Sequence, residues 1–507
     1  MFVRSVLGEW DYWVRDECVT GTIPPELVGT YFRNGAGMHA EGRHPFDGDG
    51  MVLSIAFRDG KAFFRNRFVK TDGFLEEQAA GRPTQRNAFS RGSPGGGLFN
   101  PLDFKFKNIA NTGVLPWAGK LFALWEAGLP HELNPRTLET IGKTDLGGQL
   151  TSSVLAAHYR VMTQADGSRR WCTFGSNATA TGATVTFYEF DEAGKQVATR
   201  VTEVKAELAM LHDFAVTDSY YVLVTGSTRM NVGRFMTSYL FGRSAIAECI
   251  EFAPDVAAKV ILIPRDPSKP AITAACPDPF FPFHHVNAFD EPSGSGRVVV
   301  DTVAWQELDL AVNIHNMTPA YYEGGMRTDL VRLVVDPASG SVTRASRIID
   351  AQTVEFPSVA PSVTGRPHTH MYMVGDKVQH EVFWGPLQAL IKVSMAPGTE
   401  STGTPAKVER WIPGPRTFLQ EPMFVPRPGG TTEDDGWIIL TSMDAARAGN
   451  GEVYILDAQN VAAGPVAMLR LPHNLPTGLH GSFTPEYLGP EPGDVPEWRE
   501  VAKYRQI

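Results

Sequence analysis

Two of the chain's 13 histidines stand side by side in FPFHHVNAFD (281–290). Taken singly, a histidine is far more often a surface or hydrogen-bonded core residue than a metal ligand. His39, His44, His131, His315, His368, His370, His380 and His473 are read that way. The 281–290 run reads as extended, and neighbouring side chains on a strand point to opposite faces. His284 and His285 therefore do not both reach one ion. On strict alternation His284, Val286 and Ala288 share one face and His285, Asn287 and Phe289 the other, and spacing does not choose between them.

Three more histidines lie at or near β-type runs: His158 in SVLAAHYRVM, His212 in AMLHDFAVTD and His480 in PTGLHGSFTPEY. Ligands so far apart form no local motif of the zinc-site kind. They can still converge if each rides on the inner strand of a different blade, all aimed at one axis. Neutral imidazoles bind Fe(II) well and leave its charge uncancelled, which favours the ferrous state. Each ring then needs its second N–H held, commonly by a carboxylate. Glu126 in FALWEAG, Glu355 in QTVEFPSV and Glu421 in FLQEPMFVP are glutamates in apolar settings suited to that task.

The elements that must carry these residues are short and β-rich, as in LFALWEAG, SYYVLVTG, GRVVVDTVAW and GWIILTSMD. They are separated by turn residues, with 49 Gly and 37 Pro in the chain. Three hairpin-like units recur: VTFYEFDEAGKQVATRV, LVRLVVDPASGSVTRASRII and GEVYILDAQNVAAGPVAML. Each runs strand, Asp with small residues, strand, and a propeller is the natural closure for such units at this length. Two apolar segments break the rhythm, Ser93 to Thr112 and Arg229 to Ser244. They read either as a cap on one end of the sheets or as a lip that meets a membrane or a greasy substrate.

The 507 residues are 43% apolar and 20% charged, ample for a large core. Lys and Arg number 46 against 56 Asp and Glu, a net charge of −10 that argues against a nucleic-acid partner. Cys18, Cys172, Cys249 and Cys276 are scattered without C-x-x-C spacing, which points to a reducing compartment. No apolar run is long enough to span a bilayer, and the amino end is too short and too soon polar for a secretory signal. The expectation is a soluble, at most membrane-peripheral protein of the cytoplasm, or of the plastid stroma if a transit peptide has been removed.

Nearly the whole chain resembles the carotenoid cleavage oxygenases, whose branches include retinoid isomerohydrolases and lignostilbene dioxygenases. The likeness is greatest to the cyanobacterial apocarotenoid-cleaving members. It is carried, in order, by EWDYW, GTYFRNGAGMHAEGRHPFDGDGMV, KNIANT, ALWEAGLPHELNP, LHDFAVTD, FHHVNAFDE, VEFPSV, EPMFVPRPGG and GLHGSF. The resemblance implies an all-β, seven-bladed propeller with a helical or loop cap, residues 1–507 forming one domain. It implies Fe(II) on the axis, held by His158, His212, His284 and His480, with Glu126, Glu355 and Glu421 behind three of the rings. The family's His-x-x-Asn-Ala pattern starts at His284, so His285 is expected to point away. Thr112 matches the residue beside the vacant coordination position.

Phe89, Trp125, Phe283 and Phe356 match substrate-tunnel aromatics, and Met210 stands where cyanobacterial relatives have Phe. Lignostilbene-type members grip a phenol with Tyr and Lys; Phe89 and Trp125 fall at those places and can do neither job, which favours a hydrocarbon polyene. The expected reaction is cleavage of one C=C bond of an apocarotenoid with O₂ to two carbonyl products, central cleavage to a retinal-type product in particular. Stilbene cleavage, isomerase chemistry at the same iron and a non-catalytic binding propeller are the alternatives. The apolar segments match the family's membrane-dipping patch, with Leu98, Phe99, Leu102, Phe235, Met236, Tyr239 and Leu240 as contact candidates. No protein partner is expected. Departures from the family pattern are Tyr159 after the first ligand (usually Pro), Asp290 (usually Glu), Phe483 (often Trp) and Ala36 (usually Pro).

Overall fold

The computed structural model describes residues 5–40, 43–92, 97–179, 182–205, 211–310, 327–349, 353–376, 387–399, 402–444, 449, 451–491, 493–494 and 498–507. Seven antiparallel sheets of four or more strands make up a seven-bladed β-propeller, with one extra two-stranded ribbon, Thr228–Met230 with Ile250–Phe252. The first strands of the seven sheets in spatial order are Thr477–Thr484, Gly113–Trp117, Arg160–Thr163, Ala215–Val216, Phe281–Asp290, Val354–Ser358 and Met423–Pro426.

Strand composition follows position within a blade. Middle strands are covered on both faces by neighbouring blades and read as largely apolar runs rather than alternating ones, as in Val298–Trp305 (VVVDTVAW), broken only by Asp301 and Thr302. Outer strands are half solvated and alternate, as in Gln196–Val204 (QVATRVTEV). The core lies between blades. Val286, Val303, Leu330, Met371 and Ile391 pack together across one such interface, and Ala288, Val222, Val260 and Leu333 across the next.

The three recurring hairpins are the third and fourth strands of three blades, paired antiparallel. Their shared Asp has a mechanical reason. The Oδ1 of Asp191 accepts from the backbone of Ala193 and Lys195, that of Asp336 from Ala338, and that of Asp457 from Gln459. Each carboxylate thus holds the turn that reverses the chain.

The ring is closed by the chain's own ends. Thr477–Thr484 pairs with Gly29–Met38, placing Arg33 opposite Gly481, and Trp498–Lys503 pairs with Gly8–Trp13. Val19–Gly21 extends another blade through Pro465–Arg470. Gly478 is required at the closure: a Cβ there would run into the Arg33 side chain and the Gln420 amide.

The cap is mostly loop. Asp72–Ala80 and Val232–Thr237 are the α-helices among the described residues. The two apolar segments do meet: Phe99 N donates to Phe241 O at 3.2 Å and Leu102 N to Leu240 O at 2.7 Å. Arg86, buried beneath them, donates to the carbonyls of Phe99 and Leu240. Leu98, Leu102, Phe104, Val232, Met236 and Phe241 are exposed. Tyr239 is not, contrary to expectation; its ring is buried beside the Arg86 guanidinium.

Candidate metal centre

His158, His212, His284 and His480 come together, each offering a ring nitrogen within 4.8 Å of the others. All four are buried or nearly so. They arrive from four blades. His284 and His480 lie within first strands, while His158 and His212 precede the strands Arg160–Thr163 and Ala215–Val216. The Nε2 atoms of His158 and His212 are 3.0 Å apart. That is about the spacing of two imidazoles at right angles on one ion, each about 2.1 Å from it.

Three outer nitrogens face glutamates, from His212 Nδ1 to Glu126 Oε1 at 3.3 Å, His284 Nδ1 to Glu355 Oε2 at 2.5 Å and His480 Nδ1 to Glu421 Oε1 at 2.7 Å. The carboxylates are fixed in turn. Glu355 accepts from Trp305 Nε1 (2.6 Å) and Phe356 N (2.7 Å), and Glu421 from Gly481 N (2.7 Å) and Arg33 Nη1 (3.4 Å). The three remaining blades supply these three glutamates, so every blade of the ring contributes one of the seven residues.

Burial alone would raise the three carboxyls. The facing imidazoles and the backbone donors reverse this and hold all three below the ordinary Glu value. Burial and the three neighbouring rings push His158 well down, and burial lowers His480 against the pull of Glu421. For His284 burial is overcome by Glu355, and its pKa rises.

The donor set fits a divalent cation. His284 Nε2 and Glu126 Oε2 are buried with no hydrogen-bond partner among the described residues, and the Nε2 belongs to the converging group. A bound cation would satisfy that nitrogen. Charge points the same way. Glu421 is paired with Arg33, whereas Glu126 and Glu355 face only histidines among the described ion pairs. The buried Glu355 and the half-buried Glu126, without an Arg or Lys among the described ion pairs, leave a negative balance that a divalent ion offsets.

His285 is buried but turned away, its Nδ1 on Thr302 Oγ1 at 2.9 Å. Strict alternation along this strand fails. The pairing with Val298–Trp305 slips between Pro282 and His285 and again between His285 and Asn287. The extra residues re-aim the side chains, so Val286 and Ala288 pack against opposite neighbouring blades rather than sharing one face with His284.

Phe283 lies 4.4 Å from the His212 ring and 5.0 Å from that of His284; Phe356 lies 5.4 Å from His284 and 5.6 Å from His480. Phe356 has φ +53°, a left-handed conformation costing about 1–3 kcal/mol for a non-glycine residue. It is held there beside the centre, with its N–H on Glu355. Phe89 joins Phe283 in one apolar cluster and stacks on His44. Trp125 is buried next to Glu126. Thr112 is buried, its hydroxyl on Asn111 Oδ1 and its carbonyl accepting from His480 N at 3.1 Å. Met210, His315 and His380 lie outside the described residues.

A cavity of about 1160 Å³ approaches the centre along the first strands, running from His158 to Thr163, from Glu421 to Pro426 and from His480 to Thr484. None of its lining residues, among those described, belongs to the two apolar segments.

Four residues at the centre were not singled out from the sequence: Arg33, Arg160, Asp213 and Trp305. Asp213 and Arg33 carried a readable signal, each being a charge inside an apolar run (LHDFAV, TYFRNG).

Comparison with known proteins follows the same lines. A family described as retinal pigment epithelial membrane protein matches residues 3–485. Apocarotenoid-15,15'-oxygenase of Synechocystis is 38% identical over 95% of this chain and 94% of its own. Lignostilbene-alpha,beta-dioxygenase isozyme III of Sphingomonas paucimobilis is 29% identical, covering 92% of each chain. The solved structure of cobalt-substituted Synechocystis apocarotenoid oxygenase superposes with a TM-score of 0.85 at 36% identity, over 95% of this chain and 97% of that one. With four histidines converging on the axis of a seven-bladed propeller, this chain belongs to the carotenoid cleavage oxygenases, the family of the retinal pigment epithelial membrane protein.

Proposed function

We propose that this protein is an iron-dependent dioxygenase that cleaves one C=C bond of a carotenoid-derived polyene, adding the two atoms of O₂ to yield two carbonyl compounds. The convergence of His158, His212, His284 and His480 carries the reading, and the relative named apocarotenoid-15,15'-oxygenase supports the substrate class. Ferrous iron, when bound, supplies the redox centre through which ground-state O₂ reacts with a closed-shell alkene. The four imidazoles would hold the ion, and Glu126, Glu355 and Glu421 would fix ring orientation and keep the outer N–H in place. Phe283 and Phe356, packed on the ligand rings, form the wall against which a flat polyene lies and keep water away. Phe89 and Trp125 continue that apolar slot, and Thr112 would stand beside the bound ion. We read residues 1–507 as one functional unit.

Phe89 and Trp125 can neither accept a phenol proton nor anchor a phenolate, so phenolic stilbenes gain nothing from this slot. With iron-loaded protein and a panel of apocarotenals, carotenes and stilbenes, product masses are expected to show paired carbonyl fragments from an apocarotenal and none from resveratrol. Cleavage of the stilbene alone would overturn the polyene assignment. A product of unchanged carbon skeleton would point to isomerase chemistry instead.

The exposed Leu98, Leu102, Val232 and Met236 form an apolar lip that we assign to a membrane surface, where a hydrocarbon substrate partitions. No helix among the described residues is long and apolar enough to cross a membrane. The four cysteines are free, in keeping with a cytoplasmic setting. Wild-type protein is expected to float with liposomes, and the Leu98→Asp, Met236→Asp double variant to stay in solution with its metal content unchanged. Equal flotation of the two would remove the lip from this role.

A further inference from the structure

Three of the four converging imidazoles have a glutamate at their outer nitrogen, but His158 has none among the described residues. Its Nδ1 faces Asp213 Oδ1 at 3.7 Å, beyond hydrogen-bond reach. Asp213 is buried and its oxygens are engaged elsewhere. Oδ2 accepts from Arg160 Nη2 at 2.9 Å and from the main-chain N–H of His285 at 2.8 Å, while Oδ1 accepts from Phe214 N at 2.7 Å. The same Arg160 nitrogen donates to the carbonyl of His285 at 3.2 Å, and Nη1 donates to that of Tyr159 at 3.0 Å.

The places of these residues in the chain give the arrangement its meaning. Arg160 comes two residues after His158, Asp213 directly after His212, and His285 directly after His284. One ion pair therefore knots together the backbone behind three ligands that arrive from three consecutive blades. The bulge that turns His285 outward also brings its N–H and C=O to this knot.

We propose that Asp213, together with Arg160, is a positioning residue of the metal centre. It fixes the mutual spacing of His158, His212 and His284 and, through its charge, the orientation of the His158 ring. The glutamates each act on a single ring, whereas Asp213 acts on the frame that carries three. The inference rests on the metal-binding reading above. A purely structural ion pair is the competing explanation, and the same two blades offer a comparator. Arg265 is paired with Glu189 at 2.7 Å, linking the His158 and His212 blades away from the four histidines.

Co(II) titration into metal-free protein separates these readings, with the absorption spectrum of the bound ion as a second readout. Asp213→Asn is expected to raise the Co(II) dissociation constant by about 10–100-fold, the usual range for losing a group that orients a ligand, and to shift the Co(II) absorption bands. Glu189→Gln is expected to lower the melting temperature while leaving affinity and spectrum as in wild type. An Asp213→Asn protein with wild-type affinity and bands would overturn the proposal while leaving the metal reading intact. Wild-type protein that takes up neither Co(II) nor Fe(II) would instead defeat the metal reading itself. Should Asp213→Asn fail to fold, Arg160→Lys keeps both charges but loses the forked donors, and it is expected to weaken Co(II) binding with the same band shift. Wild-type binding by that variant would count against the proposal equally.

Discussion

His284→Ala is expected to abolish stable metal binding and activity, while His285→Ala keeps its metal at wild-type stoichiometry. The two rings are adjacent in sequence and both are buried, so burial cannot separate them; aim does. His284 offers Nε2 to the converging group and holds Nδ1 on Glu355. His285 spends its ring on Thr302, and its contribution near the centre is main-chain N–H and C=O, which alanine retains. Losing a ligand costs more than the about 10–100-fold in affinity that follows from losing a ligand's hydrogen-bond partner. The His285 variant is expected to lose stability, about 1–3 kcal/mol, from its vacated contacts. Metal analysis of the two purified variants and their thermal unfolding check both halves. A His285→Ala protein without metal beside a His284→Ala protein that retains it would reverse the assignment.

Glu421→Ala is expected to damage both the centre and the fold. Its carboxylate receives three partners, from His480 Nδ1, Gly481 N and the buried Arg33. Alanine leaves the guanidinium without its counter-charge, and removing one member of a buried pair typically costs about 3–5 kcal/mol. Arg33 keeps Gln420 Oε1 and the carbonyl of Leu479, which places the expected loss at the lower end of that range. Metal affinity falls as well, because the His480 ring loses its hold. Glu421→Gln keeps the shape and removes only the charge, so it is expected to fall between wild type and alanine in both measurements. Denaturant unfolding of the metal-free proteins together with Co(II) titration tests this; an alanine variant as stable as wild type would show that Arg33 does not depend on Glu421.

Much of the architecture was legible in the sequence because a propeller imposes different burial on each strand of a blade. Largely apolar runs such as VVVDTVAW marked middle strands, and the recurring Asp marked turns it actively holds. The four converging histidines were legible only jointly, since no short spacing links them. The choice between His284 and His285 was not legible from periodicity, because the strand's irregular register breaks the alternation where the candidate ligand sits. It came from the resemblance; in the structure His284 offers Nε2 to the converging group and His285 turns to Thr302. Asp213 and Arg33 escaped notice because a charge within an apolar run reads equally well as an ordinary half-buried ion pair. Which carbonyl or amide it touches depends on blades far away in the chain.

Each blade hands one side chain to the axis, four of them imidazoles and three carboxylates. Open stacks of repeats can lengthen or shorten by a unit and survive; this circle has no such freedom. Deleting or duplicating a blade would remove or displace a member of the set and alter the angle between all the others. Descendants of this scaffold can therefore diverge in the loops above the ring, but their count of repeats stays frozen for as long as the ion is needed.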